Sequence, residues 1–323
     1  MDLLSDILSR LQVEGTLYFR TSFTSPWSVR VPAFRNVARF HFAHKGSCFV
    51  RVANRSDTVL LEQGDLIIIP RGAWHTLFCD PETEGHAVQL DKVVEESGFT
   101  GRGALIYGEL GSDQETQLVC GHFAFDEHAN HPLLESLPDF IHIKNYGEVA
   151  GSWMESTLKL IGSEVGRDGI GGDFIAIRMS EIILAQALRT FFASEGADKP
   201  VFAAFLDPNI APVLSAIHDD PSKPLTLAML SRIAGMSRTS FVARFSACMS
   251  MTPLKYITYW RMQIARQQLA RSDTPILDVA EDVGYQSEAA FGRVFKKHHG
   301  VAPATYRRRL KLDSSNAAES VPT

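Results

Sequence analysis

From residue 16 to about 126 the hydrophobic positions fall in short β-type runs separated by turn residues. The runs are TLYFRTSF (16–23), VARFHFA (37–43), CFVRVA (48–53), DLIIIP (65–70), HTLFC (75–79), HAVQLD (86–91) and QLVCGHFAFD (117–126). One more short strand, ALIYG (104–108), sits within a predicted loop over 92–116. Strands at this spacing predict an antiparallel sandwich or barrel. A short amphipathic helix precedes them, with apolar residues at 3, 4, 7, 8 and 11.

After Asn130-His131-Pro132 the period changes. PLLESLPDFIHI reads as a short helix docking back on the sheet, and 152–165 and 173–194 read as helices, the second capped by Asp173. In that second helix Phe174, Ile177, Leu184, Leu188 and Phe191 share a face, which Ile175, Met179, Ile182, Ile183 and Phe192 widen. So broad an apolar surface needs two partners: the helix's own β domain and either a second subunit or further core. EGADKPVFAAFLDP (195–208) predicts a hinge, 209–311 is helical, and DSSNAAESVPT reads as a disordered tail.

The strongest signal is a repeat inside the helical block. LAMLSRIAGMSRTSFVARF (227–245) and DVAEDVGYQSEAAFGRVF (278–295) each give a short helix, a glycine, an apolar turn residue and a second helix opened by serine. Gly235 and Gly284 permit the steep crossing, and Ser237 and Ser287 can cap the second helices. Phe241 and Phe245, like Phe291 and Phe295, fall one helical turn apart on the core face. That leaves Arg238, Thr239, Val242, Ala243 and Ser246 outward in the first copy, and Glu288, Ala289, Gly292, Arg293, Lys296 and Lys297 in the second. Pro253 opens a long helix between the copies, reaching about Ala270. Such a helix brings the copies near the spacing of successive major grooves.

Charge supports a polyanionic partner for this block alone. Residues 1–200 hold 17 Lys and Arg against 27 Asp and Glu, whereas residues 221–312 hold 15 against 5. The chain has 323 residues, no apolar run near membrane-spanning length and none of the features of a signal peptide. Its four cysteines (48, 79, 120, 248) are far apart with no CxxC pair, which speaks against a disulfide scaffold or a cysteine-rich zinc site and predicts a reducing, cytoplasmic location.

Over 209–309 the block resembles the AraC/XylS class of transcription regulators, on the two stretches above, on MTPLKYITYWRMQIARQQLARSDTPILDVAEDVGY and on the closing FGRVFKKHHGVAPATYR. The resemblance implies two helix-turn-helix units on promoter DNA, most often in activation, with RNA polymerase as a further partner. Base reading would fall to Arg238, Thr239, Val242 and Ala243 in the first copy and to Gln286, Ser287, Glu288 and Arg293 in the second, with Lys296 and Lys297 on phosphate. Val242 and Ala243 can touch a thymine methyl but cannot make bidentate hydrogen bonds. Arg244 and Arg261 could contact phosphate or brace the fold; for Arg261, bracing is favoured.

GDLIIIPRGAWH (64–75) fits the second cupin motif, and 1–143 resembles the cupin-type effector domain that precedes AraC-type DNA-binding domains. Phe40, Phe42, Trp74 and His75 are the candidate effector pocket. The first cupin motif is poorly kept: His41 and His44 are three apart, so they do not share a strand face, and no glutamate follows. No metal and no cofactor are expected. Cys120-x-His122 shares a face and could join His75. Cys48, Cys79 and Cys120 are expected as buried, inert thiols, with redox sensing as the alternative.

The expected architecture is therefore α+β and multidomain. A cupin-like β barrel spans 1–143, a helical linker or dimerisation segment 144–200, an all-α double helix-turn-helix domain 201–312 and a disordered tail 313–323. The expected function is a non-enzymatic, sequence-specific transcription regulator, an activator in the sense the family implies, that answers a small-molecule or redox signal. A homodimer is the expected assembly. The competing expectation is a metal-dependent cupin enzyme carrying a DNA-binding appendage.

Overall fold

The computed structural model describes residues 3–10, 14–101, 103–108, 114–125, 131–146, 172–193 and 199–319. It divides into two compact units, Leu11–Ala197 and Met1–Arg10 together with Asp198–Thr323. The predicted N-terminal helix forms as α1 (Leu3–Arg10), but it belongs to the second unit rather than to the β domain. The helix expected over 152–165 lies outside the described residues.

The first unit contains β1 (Glu14–Thr24), β2 (Ser28–Val31), β3 (Val37–Lys45), β4 (Cys48–Val52), β5 (Val59–Leu61), β6 (Leu66–Ile69), β7 (His75–Phe78), β8 (Val88–Gln89), β9 (Ala104–Tyr107), β10 (Glu115–Ala124) and β11 (Ile141–Ile143). They form two sheets, ordered β11-β6-β3-β10-β1-β9 and β5-β4-β7-β2-β8, instead of one closed barrel. Pairing is antiparallel except where β9 joins β1 and β8 joins β2. Trp27, Val29, Val50, Val52 and Leu77 from one sheet pack with Phe23, Ala43, Ile67, Ile69 and Leu118 from the other. Burying these faces against each other is the main force holding the sheets together.

Two local expectations change. Residues 86–91 are not one strand: β8 ends at Gln89, and α2 (Leu90–Ser97) follows, stopped by Gly98 at φ +66°. Leu90, Val93 and Val94 have the helical spacing that places them on one face. Within PLLESLPDFIHI, α3 covers only Pro132–Glu135, while Ile141-His142-Ile143 alternates and pairs with β6 as β11. Asp65 anchors that strand, its carboxylate accepting from His142 Nε2 at 2.8 Å and from the Asn145 amide at 2.9 Å. Helix α4 spans Gly172–Ala193, with Asp173 in its first turn. Ile183, Leu184, Ala187, Leu188 and Phe191 are buried, whereas Ile182 is 46% exposed. Helix α4 packs on β1 and β11, and Tyr146 donates its hydroxyl to the Ile183 carbonyl.

In the second unit the segment expected as a hinge is partly helical, as α5 (Pro200–Leu206), which starts on proline and buries Val201, Phe202 and Ala204. Then come α6 (Ala211–Asp219), α7 (Leu227–Ile233), α8 (Arg238–Met249), α9 (Pro253–Arg271), α10 (Ile276–Asp282), α11 (Glu288–His299) and α12 (Pro303–Glu319). Helix α12 runs on through residue 319, beyond the 312 boundary at which the sequence suggests a disordered tail. Helix α9 is the axis of the unit: Thr252 caps it, Pro253 opens it, and Tyr256, Trp260, Met262, Ala265 and Leu269 are buried along it. Against it lies α1, with Ile7 fully buried and Asp6 Oδ2 3.0 Å from His218 Nδ1. The His218 ring stacks on Trp260 with centroids 3.7 Å apart, and its Nε2 meets the Tyr256 hydroxyl at 2.9 Å.

Candidate nucleic-acid interface

The two halves of the repeat fold alike, bond for bond. In the first, Gly235 takes φ +63°, its amide donates to the Arg232 carbonyl, and the Met236 amide donates to the Ser231 carbonyl. In the second, Gly284 takes φ +79°, its amide donates to Glu281, and the Tyr285 amide donates to Ala280. These bonds close the first helix with a left-handed residue that glycine supplies with least strain. Ser237 then accepts from the Ser240 amide at 3.2 Å, and Ser287 from the Ala290 amide at 3.3 Å, opening α8 and α11. Phe241, Phe245, Phe291 and Phe295 are fully buried. Phe245 packs edge-on against Tyr256, and Phe295 against Tyr306.

With the rings inside, the opposite faces of α8 and α11 are outside. Arg238, Thr239 and Ala243 are exposed on α8, with Val242 half-buried beside them. Gln286, Ser287, Glu288, Ala289, Arg293, Lys296 and Lys297 are exposed at the start and along the face of α11. Helix α9 has 19 residues, and at 1.5 Å per residue it spans about 28 Å.

Two arginines make contacts within the fold. Arg244 reaches Asp207, its Nε donating to Oδ2 at 3.1 Å and its Nη2 bonding the same oxygen. Arg261 Nη2 donates to the Lys223 carbonyl at 2.8 Å, and the guanidinium lies over the Tyr285 ring at 5.9 Å. Burial pulls the Arg261 pKa below its ordinary value. Arg261 therefore braces the second turn, while Arg244 bonds Asp207 through Nε and Nη2 and keeps its exposed edge toward solvent.

Between the sheets of the first unit lies a cavity of about 20 Å³, lined by Phe23, Val29, Val31, Arg39, His41 and Cys120 among others. His41 Nδ1 lies 3.1 Å from Cys120 Sγ, His41 Nε2 lies 2.8 Å from His75 Nε2, and His75 Nδ1 lies 3.0 Å from the Ala73 carbonyl. A carbonyl can only accept, so His75 carries its proton on Nδ1 and accepts at Nε2. His41 then donates from Nε2 and accepts at Nδ1, which leaves the Cys120 thiol as donor. With both rings neutral and the thiol protonated, every contact in the chain has one donor and one acceptor. The shifts agree: burial lowers His75 to about 4, burial and the neighbouring His75 hold His41 well below its ordinary value, and burial raises Cys120. All four ring nitrogens are engaged, and among the described residues no group of three or more His, Cys, Asp or Glu is placed to hold a metal ion.

A family model described as Cupin matches residues 2–193, and one described as Helix-turn-helix domain matches residues 230–309. An AraC-like transcription regulator of Streptomyces lividans is 30% identical over 95% of this chain and 98% of its own length. The HTH-type transcriptional regulator AlkR of Acinetobacter baylyi is 28% identical over 95% or more of both chains. Among solved structures, the DNA-binding domain of the global transcriptional factor AdpA in complex with a target DNA is 28% identical, covers 33% of this chain and 96% of that one, and has a TM-score of 0.32. The chain belongs to the AraC family of transcription regulators.

As an AraC-family protein it is a DNA-binding transcription regulator with a cupin domain ahead of its helix-turn-helix domain. Its double-stranded DNA partner follows from that domain. Of the proposed pocket residues, only His75 faces the space between the sheets. Phe40 and Phe42 alternate with His41 along β3 and so occupy its other face, where Phe40 stacks on Phe123. Trp74 is 36% exposed, with Arg30 over its ring. His122 is half-buried, and Cys120 reaches the His41–His75 contact through His41. His41 is a partner of His75 that the cupin motif alone does not supply. Its signal was the odd-numbered face of β3, shared with Arg39 and Ala43. Asp207 and Lys223, which hold the two arginines, carry no signal in the motif. Among the described residues no single helix is long and apolar enough to cross a membrane.

Proposed function

We propose that this regulator reads its operator with α8 and α11 in two successive major grooves, and that the cupin domain sets its activity in answer to a small-molecule effector or a redox signal. The observation that carries the reading is the pair of congruent turns at the two ends of α9, each presenting a second helix whose rings are buried and whose polar face is exposed. In this reading Arg238, Thr239, Val242 and Ala243 meet bases from α8, and Gln286, Ser287, Glu288 and Arg293 from α11, with Lys296 and Lys297 on phosphate. The protein acts in the cytoplasm, without catalysis, as a homodimer that activates transcription by contact with RNA polymerase. The 144–200 segment supplies the linker and dimer contacts, and 201–312 the DNA-binding domain. The competing cupin-enzyme reading finds no support in the His41–His75 pair, whose nitrogens are turned on each other, on Cys120 and on Ala73.

Genome-wide mapping of bound sites followed by footprinting on one of them tests the DNA reading. Two protected patches about one helical turn apart on one face of the duplex are expected. A footprint confined to one groove segment, or equal affinity for mapped and random duplexes, would refute it.

A further inference from the structure

The register of the five-stranded sheet brings two cysteines together. Strands β4 and β7 pair as Phe49 with Phe78, Val50 with Leu77 and Val52 with His75, so the next step sets Cys48 opposite Cys79. Cys79 follows the end of β7 but stays aligned with the sheet: its amide donates to the Trp27 carbonyl at 3.1 Å, one step beyond the Ser28–Phe78 pair. Because that amide points to the β2 side, Cys48 and Cys79 form a non-hydrogen-bonded pair across β4 and β7. Such pairs hold their Cα atoms about 4.5 Å apart, within the roughly 4.4–6.8 Å that a disulfide accepts. The side chains also share a face. Cys48, Val50 and Val52 are buried in the core between the sheets, and Cys79 packs against the same cluster.

We propose that Cys48 and Cys79 are a modification site, a cross-strand dithiol that a hydroperoxide converts into an intramolecular disulfide. The two sulfurs have different environments, which sets the order of events. Cys79 is only partly buried, and its Sγ accepts from the Trp27 amide at 3.2 Å with the Thr83 hydroxyl 3.7 Å away. Its partial exposure leaves Cys79 open to a peroxide, which Cys48 is not. Cys48 is fully enclosed, and burial raises its thiol to about 12. Cys79 is therefore attacked first. Its thiolate sulfur takes the distal oxygen of the hydroperoxide, the O–O bond breaks and the alkoxide or hydroxide leaves; the sulfur is oxidised by two electrons to a sulfenic acid. The Cys48 sulfur then displaces hydroxide from Cys79: the S–S bond forms, the S–O bond breaks, and the Cys48 proton leaves with hydroxide as water. For this the Cys79 side chain turns from Trp27 towards Cys48. Cys120, engaged with His41, and Cys248, in the other unit, remain thiols.

The test is thiol mapping of the reduced full-length protein after brief exposure to a few equivalents of hydrogen peroxide. Free thiols are blocked with N-ethylmaleimide and peptides are analysed without reductant. The expected product is one linked pair joining the Cys48 and Cys79 peptides, reversed by dithiothreitol, with Cys120 and Cys248 alkylated. In Cys48→Ala, Cys79 should be trapped by dimedone as the sulfenic acid. Mapping of the unsubstituted protein decides the matter even if that variant does not fold. Four alkylated cysteines after exposure, a link from Cys79 to another cysteine, or Cys79 carried to sulfinic acid with Cys48 still free would overturn the proposal.

Discussion

The two turn glycines look interchangeable in the sequence, yet alanine should separate them sharply. At Gly235 a Cβ would meet nothing nearer than Asn209 Nδ2 at 4.0 Å, so Gly235→Ala carries only left-handed strain of roughly 1 kcal/mol. At Gly284 the same atom would stand 2.7 Å from the Ser222 carbonyl oxygen and 2.9 Å from the Arg261 guanidinium. The Ser222 oxygen is backbone and cannot swing aside. Arg261 can withdraw, but it then gives up its bond to the Lys223 carbonyl, a charged hydrogen bond worth about 1.5–3 kcal/mol. Adding the same strain of roughly 1 kcal/mol gives about 2.5–4 kcal/mol for Gly284→Ala. Hydrogen exchange read by mass spectrometry resolves the region without requiring the whole chain to unfold in one step. Amides of α10 and α11 should lose at least about tenfold more protection in Gly284→Ala than those of α7 and α8 lose in Gly235→Ala. With Arg261→Ala already in place, the added loss from Gly284→Ala should shrink, because the two residues share one clash. Equal losses at the two glycines, or strict additivity with Arg261→Ala, would refute the account of the second turn.

Three further predictions concern other parts of the chain. Arg293→Ala should weaken operator binding by about 1–3 kcal/mol while sparing random DNA, whereas Lys296→Ala should weaken both alike and reduce the salt slope by about one; competition titrations at several salt concentrations separate the two. Arg244→Ala should lower stability only modestly, by about 0.5–1 kcal/mol because its bridge to Asp207 is half open to solvent, and a reduced salt slope of DNA binding would show that it touches phosphate instead. The stability of the cupin domain should fall as pH drops from roughly 6.5 towards 4. An unfolded histidine binds a proton in that window while buried His75, lowered to about 4, does not, a difference of about 3 kcal/mol for His75 alone. Denaturation at pH 7.5, 6 and 5 checks this, and a flat profile would mean that the pair is already charged or solvated.

The long strands were readable from their length and their aromatic and β-branched content, although only β4 alternates in burial along its whole length while β3 and β10 carry runs of buried residues. The misses have local causes. SVRV and VLL form β2 and β5, but three or four residues hold too little pattern to separate a strand from a loop. HAVQLD changes from strand to helix at Leu90, and only the spacing of Leu90, Val93 and Val94 marks the switch. The period of two along β3 assigns Phe40 and Phe42 to the face away from His41, so those two pocket candidates conflict with the strand that carries them. What no single segment could reveal was pairing at long range. Arg244 with Asp207, Arg261 with Lys223, and His41 with His75 join residues 34–38 positions apart. Nothing in the residue types announces which arginine turns inward.

The repeat shows why fold and specificity were unequally legible. A helix-turn-helix needs a left-handed turn residue, a side-chain oxygen at the next N-cap and two rings one turn apart, and both copies supply them as Gly235, Ser237, Phe241 and Phe245, and as Gly284, Ser287, Phe291 and Phe295. Those positions are fixed by packing, so they recur and can be recognised. The outward positions are free of that constraint, and there the copies diverge: Arg238, Thr239 and Ala243 on one helix, Glu288, Arg293 and Lys296 on the other. Two different reading faces on one shared frame cannot serve a symmetric pair of half-sites within a single chain. One chain is thus suited to an asymmetric sequence, with the α11 side holding more of the cationic contact. Exchanging the outward residues of α8 and α11 while keeping both sets of rings, caps and glycines should leave the fold intact and reverse the preferred order of the two half-sites. Selection of bound duplexes from a random pool would read out that order, and an unchanged order would mean that the specificity lies elsewhere.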